Sequence, residues 1–376
     1  MTGRALAGLL GVLVLLGVTS SVVRTLVVPR GLHSKLAHAV LFGMLGAFRA
    51  GARAINDFER RDRFLAWAAP LSIPTTLAVW LLGYLLGYAL LLFSLSELAP
   101  PTALREAGSS LFTLGFASSD RAQLTAVDLI AAATGPVVMG LLIGYLPTLY
   151  SAYNRREVDV TMLDSRAGEP NWGPEILARH AAVDTLDALA GFFSNWERWA
   201  ADVSESHTNY PVLIHTRSPR PYRNWLVGLV AVMDAAALQL ALAPSMPQGQ
   251  ARIALRMGFV CLRDLADVEG IGYDPDPDPD GPIALTYEEF LVAVERLRRS
   301  GFPIERAPEE AWPHVKGWRV NYESNAYALA SRIDAVHAPW TGSRRAGTPT
   351  FEPRRPRDRQ PGGGTRWPSG GPSGGA

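Results

Sequence analysis

Three stretches of the chain, residues 5–23, 64–96 and 129–153, run without a single charged side chain. A bilayer-spanning helix needs about 20 apolar residues, so each stretch predicts one crossing. A fourth apolar stretch, 36–48, is shorter. Its Leu36, Val40, Leu41, Met44 and Phe48 recur at helical spacing, with Lys35, Arg49 and Arg53 around them. That pattern predicts a helix lying in the membrane interface, with Ser34 as its N-cap and Pro29-Arg30-Gly31 breaking the chain before it. The first stretch also fits a signal peptide, because Arg4 gives a basic start and Thr19-Ser20-Ser21 are small.

After residue 154 the pattern turns amphipathic. Helical spacing runs through 176–203, 225–243, 252–268, 286–299 and 321–336, and only 211–216 has a strand-like look. The stretch 225–243 is apolar but interrupted by Asp234 and Gln239, which predicts a buried core helix rather than a fourth span. The expected fold is therefore an all-α membrane protein of three transmembrane helices with a mostly helical cytoplasmic domain. Its expected divisions are 1–63, 64–153, 154–340, and a tail at 341–376 rich in arginine, proline and glycine, of disordered composition.

Charge sets the orientation. Arg30, Lys35, Arg49, Arg53, Arg60, Arg61 and Arg63 lie between the first two stretches, and Arg155, Arg156 and Arg166 follow the third. The segment between the second and third stretches carries only Arg105 and Arg121. The positive-inside rule then places the N-terminus and residues 97–123 outside, and the C-terminal half inside the cell's plasma membrane. Overall, 36 basic residues against 35 acidic give no net attraction to nucleic acid, which is not an expected partner. One cysteine, Cys261, excludes an internal disulfide framework.

The outer segment is unusual for a simple loop. Pro100-Pro101-Thr102 leads into a helix-compatible stretch, 103–112, followed by Thr113-Leu114-Gly115-Phe116-Ala117-Ser118-Ser119-Asp120. A short apolar helix with a small-residue return predicts a re-entrant element, since irregular backbone is tolerated at membrane depth only where protein or water meets it. This helix, loop, helix arrangement resembles the pore module of potassium channels, whose loop reads Thr-Val-Gly-Tyr-Gly. The resemblance covers residues 64 to about 153. It implies a homotetramer in which the backbone carbonyls of Thr113, Leu114, Gly115, Phe116 and Ala117 form a selectivity filter for monovalent cations. It also implies vestibule positions for Asp120 and Asp128.

Two departures stand out: the last filter glycine is Ala117, and Ser118 and Ser119 precede Asp120. An alanine held left-handed costs about 1–2 kcal/mol, so strain is expected at Ala117. In the third stretch Gly135, Pro136, Gly140 and Gly144 form a candidate gating hinge, or serve close helix packing. No stretch carries arginines at every third position, so voltage sensing is not expected.

The second half offers one metal candidate. Asp276, Asp278 and Asp280, followed by Gly281, are spaced like a calcium loop, but Tyr287 stands where the bidentate acid belongs. The alternative is a solvated acidic turn ahead of a Thr286/Glu289 capping box. The histidines lack metalloprotease spacing, and no nucleophile elbow or phosphate loop is present, so neither an enzyme nor a cofactor is implied. The expected function is a cation channel subunit, potassium being the ion such modules conduct, with membrane lipid and further copies of the chain as partners. The alternative is a membrane-anchored signalling or scaffold protein whose cytoplasmic domain binds a partner.

Overall fold

The computed structural model describes residues 2–28, 34–118 and 121–341. All regular structure among them is helical. Pro29-Arg30-Gly31, Ser119, Asp120 and the tail beyond Thr341 lie outside the described residues. The chain divides into two compact units, residues 1–155 with 205–217, and residues 156–204 with 218–376. The two N-terminal divisions expected from the sequence therefore share one unit.

In the first unit, α1 (Thr2–Leu26) runs antiparallel along α4 (Ala68–Leu95), after α2 (Lys35–Ala52) and the short α3 (Phe58–Leu65). Glycines permit the approach. A Cβ on Gly11 would come within 2.9 Å of the Gly87 carbonyl oxygen, and one on Gly83 within 2.6 Å of Val18. The seam is pinned by polar groups. Trp80 Nε1 donates to Ser21 Oγ at 2.8 Å, Ser21 meets the Ser34 hydroxyl at 2.6 Å, and Thr19 meets the Tyr84 hydroxyl at 3.0 Å. Ser34 caps α2 as expected, accepting from the Ala37 amide.

Two helices complete this unit's frame. α5 (Pro100–Leu111) starts on two prolines, whose missing amide hydrogens cost nothing in a first turn. α6 (Ala122–Ala167) continues unbroken through Pro136 and Pro147. Leu124, Asp128, Ala131, Gly135, Val138 and Leu142 are buried at steps of three and four, a single stripe along the helix. Other apolar residues of the same stretch, including Leu129, Ile130, Val137 and Ile143, are exposed in the single chain, whereas Leu149, Ala152, Val160 and Leu163 further along are buried.

The second unit is built around one helix. α7 (Gly173–Ala182) and α8 (Leu189–Asn209) replace the continuous helix expected over 176–203; Asp184, with φ +55°, turns the chain between them. The expected strand at 211–216 is instead α9 (Val212–His215), which belongs to the first unit. So short an apolar run does not distinguish the two states. α10 (Trp225–Leu242) has every residue buried and packs against α7, α11 (Gly249–Glu269) and α13 (Pro308–Arg319). α12 (Tyr287–Arg299) opens on the expected Thr286/Glu289 capping box, and α14 (Glu323–Arg332) closes the unit. α13 was not anticipated from the sequence, because Pro313 interrupts its pattern.

Among the described residues, four helices are long and apolar enough to cross a membrane: Gly3–Leu26, Phe58–Leu95, Ala122–Ala167 and Trp225–Leu242. The last differs from the others, being wholly buried within its unit, whereas the first three are 22%, 39% and 17% buried. It also holds the acid Asp234, whose Oδ1 takes both of its bonds from α13 and its flank. Arg319 pairs with Asp234, and the Tyr322 hydroxyl donates to Asp234 at 2.5 Å. Arg319 also donates to Glu323 at 2.7 Å and to the Trp340 carbonyl. Burial opposes the Arg319 charge, yet Asp234 and the Tyr322, Tyr327 and Glu323 groups outweigh it and hold the guanidinium more firmly protonated than usual.

Candidate pore loop

The residues after α5 form a compact turn held by one side chain and its backbone. The Ser109 carbonyl accepts from Leu114 N at 2.8 Å and Gly115 N at 3.4 Å, and Ser109 Oγ accepts from Ala117 N at 2.9 Å. Thr113 N donates to the Ser110 carbonyl at 2.9 Å. In a trans peptide the N–H and the preceding C=O point in opposite directions. Because the amides of Leu114, Gly115 and Ala117 face the end of α5, the carbonyls of Thr113, Leu114 and Phe116 face away from it. Among the described residues, no group donates to those three carbonyls.

The backbone is left-handed at alternate positions. Thr113 has φ +55° and Gly115 φ +68°. Glycine adopts that region freely, whereas a β-branched residue does so only where its surroundings impose it. Such outliers cluster at functional sites. The strain expected at Ala117 is not found, because its φ is not positive. Leu114 and Phe116 are exposed, and the Arg105 guanidinium lies 5.3 Å from the Phe116 ring centroid.

Behind the loop, the end of α5 meets α6 at Gly135. A Cβ on Gly135 would overlap the Leu111 carbonyl oxygen. Gly135 is thus a packing glycine, while Gly140 and Gly144 have nothing within 4 Å. Pro136 stands exposed on the outer side of the same turn. Asp128 is buried in this seam, with the Ser110 hydroxyl donating to Oδ1 at 2.7 Å. Glu106 is buried beside it; among the described residues no donor group reaches Glu106 Oε1 or Asp128 Oδ2, and the two carboxyl groups interact with each other. The Tyr88 hydroxyl meets Thr134 at 2.7 Å and ties α4 to α6.

The structure therefore brings together Thr113, Leu114, Gly115, Phe116 and Ala117 in one turn, with Asp128 and Gly135 directly behind it. Asp120 lies outside the described residues. Ser109, Ser110 and Glu106 were missed from the sequence. The available signal was a pair of serines and a carboxylate in a short helix between two apolar stretches.

The acidic segment of the second unit uses its carboxylates locally. Asp276 N donates to Asp274 Oδ1, and Asp280 N to Asp278 Oδ1, each at 3.0 Å. Among the described residues, no group of three or more histidine, cysteine or acidic side chains is gathered to hold a metal, so Asp276, Asp278 and Asp280 are not brought together. No protein-family model, no curated protein and no solved structure matches this chain.

Proposed function

We propose that the chain is one subunit of a cation-conducting pore in the plasma membrane. Three helices, α1, α4 and α6, cross the bilayer, α5 dips in from the outer side, and α10 is a core helix of the internal unit. Four copies supply the loop 113–117 around a common axis, because one loop contributes only a quarter of a coordination cage. Potassium is the cation the Thr-x-Gly-aromatic turn suits.

The observation that carries this reading is the row of carbonyls at Thr113, Leu114 and Phe116, left without donors among the described residues while the amides that follow them, of Leu114, Gly115 and Ala117, are spent on Ser109. Oxygens presented this way can replace the hydration shell of a cation. The exposed apolar side of α6 supports it further, since a lipid-facing and self-associating helix needs such a surface. The mass of the full-length protein in mild detergent tests the assembly. A fourfold mass is expected; a monomer would overturn the pore and leave the membrane-anchored scaffold.

A further inference from the structure

At the inner end of α1 the first unit holds a recess of ≈ 100 Å³, between α1, α2, α4, α6 and the 209–212 segment. We propose that this recess binds the phosphate-bearing headgroup of an anionic membrane glycerophospholipid. The inference rests on the membrane reading of α1, α4 and α6 and is independent of conduction.

Charge comes first. Arg24 and His38 line the recess, and among the described residues no aspartate or glutamate does. Arg24 forms no ion pair among the described residues. Both residues are exposed, whereas Ser34, Ser72, Thr76 and Trp80 are buried, so the recess opens on its basic side. Its floor is neutral and already satisfied. Ser72 and Thr76 donate to the carbonyls of Ala69 and Ser72 at 2.6 and 2.7 Å, and Ser34 bonds Ser21. A guanidinium over a neutral floor is completed by an anion from outside.

Depth and wall chemistry select a lipid. Ser72 to Trp80 lie four to twelve residues into α4, about 6–18 Å at 1.5 Å per residue. Arg24 lies two residues before the end of α1. This is the level where headgroups give way to acyl chains. Leu26, Val28 and Ile73 add apolar wall that a free phosphate would not use. A zwitterionic headgroup would bring a cation with no carboxylate to receive it.

Native mass spectrometry of the delipidated full-length protein tests the site. It is titrated with phosphatidylglycerol and phosphatidylcholine of identical acyl chains, with inorganic phosphate as competitor. Both lipids offer Arg24 a phosphate, but the choline cation would sit beside the guanidinium uncompensated, which predicts half-saturation at about tenfold lower phosphatidylglycerol than phosphatidylcholine. Arg24→Gln should remove that preference with helix content unchanged, Arg24→Lys should keep most of it, and the surface variant His38→Gln should weaken it in part. Equal retention of the two lipids would overturn the proposal, as would a preference that survives Arg24→Gln. Displacement of the lipid by equimolar inorganic phosphate would also overturn it, making the recess a site for free anions.

Discussion

The carbonyl oxygen of Leu111 occupies the space that a Cβ on Gly135 would need. The end of α5 is thus seated directly on the α6 backbone, and the strained turn at Thr113 begins two residues later. Gly135→Ala should force the two helices apart and cost about 1–3 kcal/mol, the usual range for overpacking. Gly140→Ala and Gly144→Ala, with open space around them in the single chain, should leave the fold intact. Thermal unfolding of the three variants in detergent separates the cases. A Gly135→Ala protein as stable as the parent would show that the seam is not tightly packed.

The orientation is open to labelling. Thr102 and Ser165 are both exposed. Cys261 is fully buried, and burial raises its thiol above the ordinary range, so it should contribute little background. Thr102→Cys should react with an impermeant thiol reagent on intact cells, and Ser165→Cys only after lysis. The reverse pattern would invert the topology.

The second unit depends on the pair Asp234 and Arg319. Asp234→Ala leaves a buried guanidinium without its main partner and should cost about 3–5 kcal/mol. The double change Asp234→Leu, Arg319→Met removes both charges and should recover much of that loss. Denaturation midpoints of the full-length variants would check it. Equal midpoints for the single and double variants would mean that the pairing contributes nothing.

His180 gives the same unit a pH dependence. Burial lowers its pKa below the ordinary 6.5, partly offset by the hydrogen bond to the Ile176 carbonyl, and Arg166 lowers it further. The folded protein therefore prefers the neutral ring. As pH falls below 6.5 the unfolded chain takes up the proton first, so stability is lost on acidification and fully present above that value. The thermal midpoint should fall more steeply with acid in the parent than in His180→Gln. Parallel curves would remove His180 from the account.

The three outer-facing apolar helices were legible in the sequence because charge-free length is a strong signal, and Thr286 with Glu289 marked its helix start unambiguously. α10 was legible as a core helix through Asp234, an acid that a lipid-facing helix does not carry. Position 117 was misjudged: the left-handed residues are Thr113 and Gly115, and which residue bears the turn depends on the Ser109 hydrogen bonds, which lie in no sequence pattern. Gly135 resembles Gly140 and Gly144 along the chain. Only the packing of Leu111 separates them.

The central claim is tested most directly by unitary currents from the full-length protein in planar bilayers, with potassium on one side and sodium on the other. Cation-selective currents are expected, and Gly115→Ala should abolish them without preventing insertion, because a methyl group at φ +68° adds about 1–2 kcal/mol of strain per subunit. Ala117→Gly should leave them unchanged. Silence from correctly inserted parent protein, or permeation identical in Gly115→Ala, would contradict the pore.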